Sequence, residues 1–252
     1  MLRESLHKLA PTSVGTSLGG NALAIAPVSS GVAALDTALV LGGLPAGRVT
    51  EIAGPSSSGK TALGLRLLAE QTSAGKLVAF VDGTSQFYPP AAAAMGIDLQ
   101  RTLLIAPFAQ TGARRCTGNE DAVLALARAA EIITRSRAFS MVLVDLPRRA
   151  RLHRTPARRL RVAAQATGAT IICLSSRSGD VDGAAARIET QGCRQKRTQL
   201  RIVKGAHAGS VGQGLIEFAC KQHRFDHNPG SEVAPILYRA LPGEEADSRG
   251  RP

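Results

Sequence analysis

The chain of 252 residues contains no tryptophan, and aromatic residues make up only 3% of it. A core built from such a sequence rests on Ala, Leu, Val and Ile instead of large rings. The four cysteines, Cys116, Cys173, Cys193 and Cys220, form no CxxC pair. That usage excludes a disulfide framework and fits a reducing compartment. No apolar run approaches the ~20 residues of a membrane span. The start, MLRESLHKLAP, has charge but lacks the apolar stretch of a secretory leader. The expectation is therefore a cytoplasmic protein. Metal-ligand spacing is equally sparse: Cys220, His223 and His227 make half a zinc site with no second pair upstream. Acidic side chains are the minority charge, 19 against 31 Lys and Arg, for a net of +12. Such a field favours a nucleic acid, another polyanion or an acidic protein surface, the alternative being a solvated basic face.

Hydrophobic residues account for 44% of the chain, and their pattern alternates strands with helices. Residues 1–9 place Leu2, Leu6 and Leu9 on one face of a short helix, and the Ser, Thr and Gly of 11–21 read as a linker. The stretch 29–47, SSGVAALDTALVLGGLPAG, reads as a helix with a serine cap and a stop at Gly42–Gly43. Strands are expected at RVTEIAG, KLVAFVD, TLLIA, FSMVLVD and ATIICLSS. Helices are expected at KTALGLRLLAEQTS, PPAAAAMG, NEDAVLALARAAEIITRSR and TPARRLRVAAQATG. Near-continuous apolar strands between helices imply a parallel sheet covered on both faces, an α/β fold. Beyond residue 185, RIET, QLRIVK and GLIEFA are separated by Gly turns and suit an antiparallel edge to that sheet. The division expected is a terminal segment 1–26, a core 27–220 and a polar, partly disordered tail 221–252.

Residues 54–61, GPSSSGKT, follow the strand VTEIA and open a helix. G-x-x-x-x-G-K-T in that context is a phosphate-binding loop, because its glycines let successive N–H groups turn inward at a helix N-terminus. Gly54, Ser57, Ser58 and Gly59 would supply the cradle, Lys60 would reach the β- and γ-phosphates, and Thr61 would hold Mg²⁺. A second acid on the metal side belongs at the end of a neighbouring buried strand, where MVLVD supplies Asp145. ATP and Mg²⁺ are thus the expected ligands.

Residues 28–107 resemble the ATPase core of RecA recombinases: the helix before GGLPAGRV, the Ser-rich loop, the FVD strand and the MGID-LLI segment occur in the same order. The resemblance continues more weakly through Asp145 to about residue 219, and it implies a RecA-like P-loop NTPase core. Three departures accompany it. Thr84 stands where the family has a water-activating glutamate, and a hydroxyl is a poor proton acceptor near neutral pH. Ala91 stands where an aromatic stacks on adenine, with Tyr88 close by. Ser176 stands where a glutamine senses the γ-phosphate, and the loop after it, SRSGDVDGAAA, is shorter than the family's DNA-binding loop.

A RecA-like core of this size with degraded catalytic positions resembles the ImuA family. That resemblance implies a role in damage-induced (SOS) translesion mutagenesis, with RecA and the polymerase-like protein ImuB as partners. It also implies ATP binding with little or no hydrolysis. A DNA-stimulated ATPase or recombinase paralogue is the alternative, and a phosphate loop kept as a structural relic is a third reading. Residues 1–26 are the natural candidate for docking on RecA, whose protomers assemble through a short N-terminal element.

Directly after Asp145, Arg148, Arg149, Arg151, Arg154, Arg158, Arg159 and Arg161 place seven guanidinium groups within fourteen residues. In RecA this region corresponds to the first DNA-contacting loop and the helix after it. DNA phosphates, an acidic partner and plain solvent all remain open as its neighbours. No aromatics interleave the arginines, so stacking on single-stranded bases is not supported.

Overall fold

Apolar runs at five places in the first 175 residues become five parallel strands, and three further strands extend the sheet. The computed structural model describes residues 27–106, 120–192, 197–205 and 216–219, with Arg197 and 216–219 described by backbone alone. The proposed helix 1–9, the linker, the Asn119 cap, the tail and the Cys220–His223–His227 cluster lie outside the described residues.

The strands are β1 (Val49–Ala53), β2 (Val78–Asp82), β3 (Thr102–Ile105), β4 (Met141–Asp145), β5 (Thr170–Ser175), β6 (Ala186–Gly192), β7 (Arg197–Lys204) and β8 (Ile216–Ala219). They form one sheet in the order β3-β2-β4-β5-β1-β6-β7-β8. β1 pairs in parallel with both β5 and β6, whereas β7 and β8 run antiparallel. The expected α/β fold with an antiparallel edge is the observed one, except that RIET, expected in that edge, lies in β6 and continues the parallel part by pairing with β1.

Both faces of the parallel part are buried because alternate side chains point to opposite helical layers. On one face Ala79, Val81, Val142, Val144 and Ile171 pack against α4 (Glu120–Arg135) and α5 (Arg154–Thr167). On the other, Phe80, Leu143, Ile172 and Leu174 pack against Leu63, Leu67 and Leu68 of α2 (Lys60–Ser73) and against Leu35 of α1 (Ala33–Ala38). The short α3 (Pro89–Ala94) has prolines in its first turn, where a missing N–H leaves no bond unmade. Among the described residues no helix is long and apolar enough to cross a membrane.

The first helix is shorter than its sequence pattern. It spans Ala33–Ala38 with Val32 as N-cap, and Leu39 is already extended. The serines do not cap it. Ser29 Oγ and Ser30 N both donate to the Asp36 carboxylate, closing a turn in front of the helix. Polar side chains that bond nearby backbone groups and carboxylates compete with capping in this way.

Candidate functional site

β1 lies between β5 and β6, and its C-terminal end passes straight into residues 54–59 and then α2. This is the crevice at strand ends where open α/β sheets hold ligands. Gly54 N donates to Ser175 O at 3.1 Å, which ties the start of the loop to the end of β5. Ser57 has φ 61° and Gly59, the N-cap of α2, has φ 89°. Two left-handed residues in the loop curl the backbone toward the helix N-terminus, the geometry of an anion-binding nest. Lys60 Nζ donates to Pro55 O at 3.2 Å, so the amine already leans over the loop. Thr61 is exposed in the first turn of α2.

The loop is braced from behind by β6 and β7. Ser58 Oγ lies 2.7 Å from Thr190 Oγ1, and Thr190 Oγ1 donates to Ala53 O at 3.2 Å. A Cβ at Gly59 would overlap the Thr198 side chain. Of the residues expected to cradle phosphate, Ser58 therefore turns its hydroxyl into the protein, while Ser57, Lys60 and Thr61 face outward or are half-exposed. The residues present fit a nucleotide triphosphate with Mg²⁺: a curled loop at a helix N-terminus, an amine above it, an exposed threonine hydroxyl and a carboxylate on a nearby strand end.

That carboxylate is Asp145, 7% exposed at the end of β4. Its neighbour across the register is Asp82, at the end of β2. Thr84 Oγ1 is 2.8 Å from Asp145 Oδ2 and 3.1 Å from Asp82 Oδ1, so one hydroxyl bridges the two strand ends. Asp82 also accepts from the backbone N–H of Thr84, Gln86 and Phe87, at 3.0, 3.3 and 2.8 Å. Its lone pairs are committed to holding the turn after β2, and it is not a free proton acceptor. Burial raises the Asp145 carboxyl from 3.8 to about 6; the Thr84 hydrogen bond and the Lys60 charge pull it down, and the Asp82 charge pushes it up. Burial likewise lowers the Lys60 amine, with Asp145 opposing and Arg148 reinforcing that shift.

Ala91 stands where the family's aromatic would stack on a base, and two aromatics, Phe87 and Tyr88, lie just before it. Phe87 is half-buried against Phe80, ring centroids 4.7 Å apart, and belongs to the core. Tyr88 is 60% exposed at the N-cap position of α3, and Ala91 lies within that helix.

Ser176 and the loop after it are held by a carboxylate that strand alternation alone would not single out. Glu51 on β1 is fully buried. It accepts from Ser175 Oγ at 2.9 Å, Gly179 N at 3.1 Å, Val181 N at 3.2 Å and Arg187 Nε at 2.5 Å. Four donors on one carboxylate compensate its desolvation. Leu152, in the arginine segment, pairs with Val181 of the same loop, and Arg151 lies 3.6 Å from Asp180. A cleft of about 500 Å³ opens beside this loop, between Gly54, Pro55, Ser176, Gln191 and Gln199. Cys173 is buried behind it, its thiol pushed up to about 12 by burial and then by Glu51, which makes it inert.

The seven arginines do not form one equivalent set. Arg159 pairs with Glu131 of α4 at 2.7 Å, and Arg161 lies half-buried over Gly183. Arg148, Arg149, Arg154 and Arg158 are exposed. Asp82, Glu51, Thr190, Thr198 and Arg187 belong to no sequence motif, and the structure brings them to the site. Asp82 carries the signal that exposed Asp145, an acid closing an apolar strand; the others are paired only through β1, β6 and β7.

A phosphate-type loop between the first strand of a mostly parallel sheet and its following helix, with an acid closing a nearby strand, defines a P-loop α/β protein. The model of the RecA N-terminal domain matches residues 8–153. The chain belongs to the RecA family. It is 40% identical over 127 residues to Protein RecA of Chlorobium chlorochromatii, covering 50% of this chain and 32% of that protein. Against Protein RecA of Rubrobacter xylanophilus it is 39% identical over 121 residues, 48% of this chain and 31% of the relative. With Protein RecA of Rhizobium rhizogenes identity is 47% over 87 residues, 34% of this chain and 24% of the relative. The chain thus spans about a third or less of the length of these curated relatives.

Proposed function

We propose that the protein is a RecA-family accessory factor of DNA repair that binds Mg-ATP on residues 54–61 and hydrolyses it weakly or not at all. The observation that carries this reading is the Thr84 bridge: a hydroxyl held between Asp82 and Asp145 occupies that corner, and among the described residues no carboxylate besides these two is bonded there. Lys60, Thr61 and Asp145 supply what binding requires, and Mg²⁺ bound with the nucleotide would neutralise phosphate charge.

Within DNA repair, the reading places the protein in SOS-induced translesion mutagenesis, acting through contacts with RecA and ImuB. Its support is a retained fold with altered catalytic positions at Thr84 and Ser176, and a loop 176–183 tied down by Glu51 in place of a long DNA-binding loop. The exposed arginines Arg149, Arg154 and Arg158 offer a surface for DNA phosphates or an acidic partner. Pull-down with purified RecA and ImuB, using the full chain and a chain lacking residues 1–26, tests it. Binding to at least one partner is expected, and binding to neither contradicts the reading. The complete phosphate loop favours a second reading, a DNA-stimulated ATPase. That reading requires phosphate release that rises with single-stranded DNA and vanishes in Lys60→Ala.

A further inference from the structure

Helix α4 carries more aliphatic side chains than its core face can hide. Val123, Leu126, Ala130 and Ile133 are buried in the layer over the sheet, whereas Leu124 and Ile132 are 51% and 56% exposed. Leu124, Arg128 and Ile132 stand four residues apart and are all exposed, so they form one row on the outer side of the helix. The two aliphatics lie about 12 Å apart along the axis, with the stem of Arg128 between them. Helix α5 repeats the pattern: Arg154, Arg158 and Val162 share an exposed row, Val162 at 45%. The two helices cover the same face of the sheet and are joined where Arg159 meets Glu131 at 2.7 Å.

Beyond the first turn of α4, this outer layer carries charge of one sign. Glu131 is 7% exposed and already holds two arginines, Arg135 at 2.9 Å and Arg159 at 2.7 Å. The other acids of α4, Glu120 and Asp121, stand in its first turn, and α5 has none. Scattered exposed aliphatics are ordinary, but here they share rows with unburied cations. Contacts to DNA phosphates would use the arginines and leave the aliphatics without a partner. A second copy meeting the same face would set arginines against arginines, which opposes association. Aliphatic anchors two turns apart, flanked by cations, match a helix that carries apolar residues at the same interval with carboxylates beside them.

We propose that the outer face of α4, with the adjoining row of α5, is a docking site for an acidic amphipathic helix of a partner protein. Leu124 and Ile132 are its apolar anchors, and Arg128, Arg154 and Arg158 are the cations that meet the partner's carboxylates. This rests on the accessory-factor reading above and not on nucleotide binding at residues 54–61. It gives that factor a protein partner on a face whose arginines alone would equally suit DNA.

Calorimetric titration of the full chain with purified ImuB and with purified RecA tests it. The variants are the double Leu124→Ser, Ile132→Ser, the single Arg128→Glu and, as control, Val203→Ser, which removes an exposed aliphatic from β7. Wild type is expected to bind at least one of the two proteins. The double serine variant should weaken that partner about tenfold or more, the scale of a lost apolar anchor. Arg128→Glu should weaken it as well, and less so at high salt, where charges are screened. Val203→Ser should match wild type. Wild-type affinity in either face variant overturns the inference and leaves the accessory reading standing; if only Arg128→Glu weakens binding, the surface is purely electrostatic, as one for DNA would be. Equal weakening by Val203→Ser also overturns it. A wild type that binds neither protein overturns both.

Discussion

Thr84 Oγ1 donates to Asp145 Oδ2 across 2.8 Å and joins the ends of two neighbouring strands, β2 and β4. On the function proposed above, the corner where a RecA-type glutamate would activate water is occupied by a hydroxyl whose own proton is engaged. A carboxylate there could accept a proton; a threonine bound between two acids cannot do so near neutral pH. The same hydrogen bond steadies the ionised form of Asp145.

Asp145 makes both stability and metal-dependent binding sensitive to pH, in opposite senses. Its folded value of about 6 lies above the ordinary 3.8, so the folded chain holds this proton more tightly than the unfolded one. Its contribution to stability is fully present below about pH 4 and is lost as pH rises through 6. Mg²⁺ needs the ionised form. Mg-dependent nucleotide affinity should therefore be flat above about pH 7 and fall as pH drops through 6, as a titration series from pH 5 to 8 would show. Asp145→Asn should raise the unfolding midpoint of the nucleotide-free protein at pH 8 and abolish the Mg²⁺ dependence; an upper bound on the gain is about 3 kcal/mol.

Thr84→Val keeps the side-chain shape and removes the hydroxyl. The Thr84 bond lowers the Asp145 carboxyl, so its loss should move the pH midpoint of Mg-nucleotide binding upward from the wild-type position. Denaturant unfolding should register a loss of about 1–3 kcal/mol, since the buried Asp145 carboxylate loses its hydroxyl donor. An unchanged midpoint would show that the bridge does not form.

Much of this architecture is legible in the sequence, for reasons that can be traced to particular segments. MVLVD and ATIICLSS are near-continuous apolar runs, and only a strand covered on both faces uses such a run, so the parallel sheet follows. GPSSSGKT between a strand and a helix locates the loop without any tertiary knowledge. Long-range partners are what remain hidden. Ser58 meets Thr190 across 132 residues, and Glu51 meets Arg187 across 136. Both contacts depend on β1 pairing with β6, a crossover that local periodicity does not encode. The helix around Leu35 is overestimated because Ser29 and Ser30 read as caps, whereas their bonds go to Asp36.

Glu51 anchors the loop after β5, and breaking its pairing should free that loop. Arg187→Ala leaves a fully buried carboxylate without its cation and should cost about 3–5 kcal/mol. Glu51→Gln, which removes the charge, should cost less. Hydrogen exchange at the Gly179 and Val181 amides, both donors to Glu51, should accelerate in both variants. Unchanged exchange would contradict the anchoring role.

Gly59→Ala should abolish nucleotide binding and destabilise the fold. The residue sits at φ 89°, and its Cβ would overlap the Thr198 side chain of β7. The combined strain is of the order of 2 kcal/mol or more, readable as a lowered unfolding midpoint. Thr198→Ala should recover part of the stability by clearing the overlap, and recover none of it if the backbone strain dominates.

Exposed arginines should differ from paired ones in any contact with DNA. If the surface binds duplex, the double variant Arg154→Ala, Arg158→Ala should reduce the log–log salt slope by about 1.8, or ~0.9 per lost phosphate contact. Arg159→Ala should change it less, because that side chain is held by Glu131 at 2.7 Å. Equal effects would show that the ion pair does not restrain Arg159.

The central claim, binding without efficient hydrolysis, is tested most directly by the chemical state of the nucleotide that the protein holds. The protein is incubated with Mg-ATP for an hour at pH 8, the complex is separated from free nucleotide, and the bound fraction is resolved by chromatography. The expected result is intact ATP on the wild type and none on Lys60→Ala. Bound ADP on the wild type, or no nucleotide at all, would contradict the account.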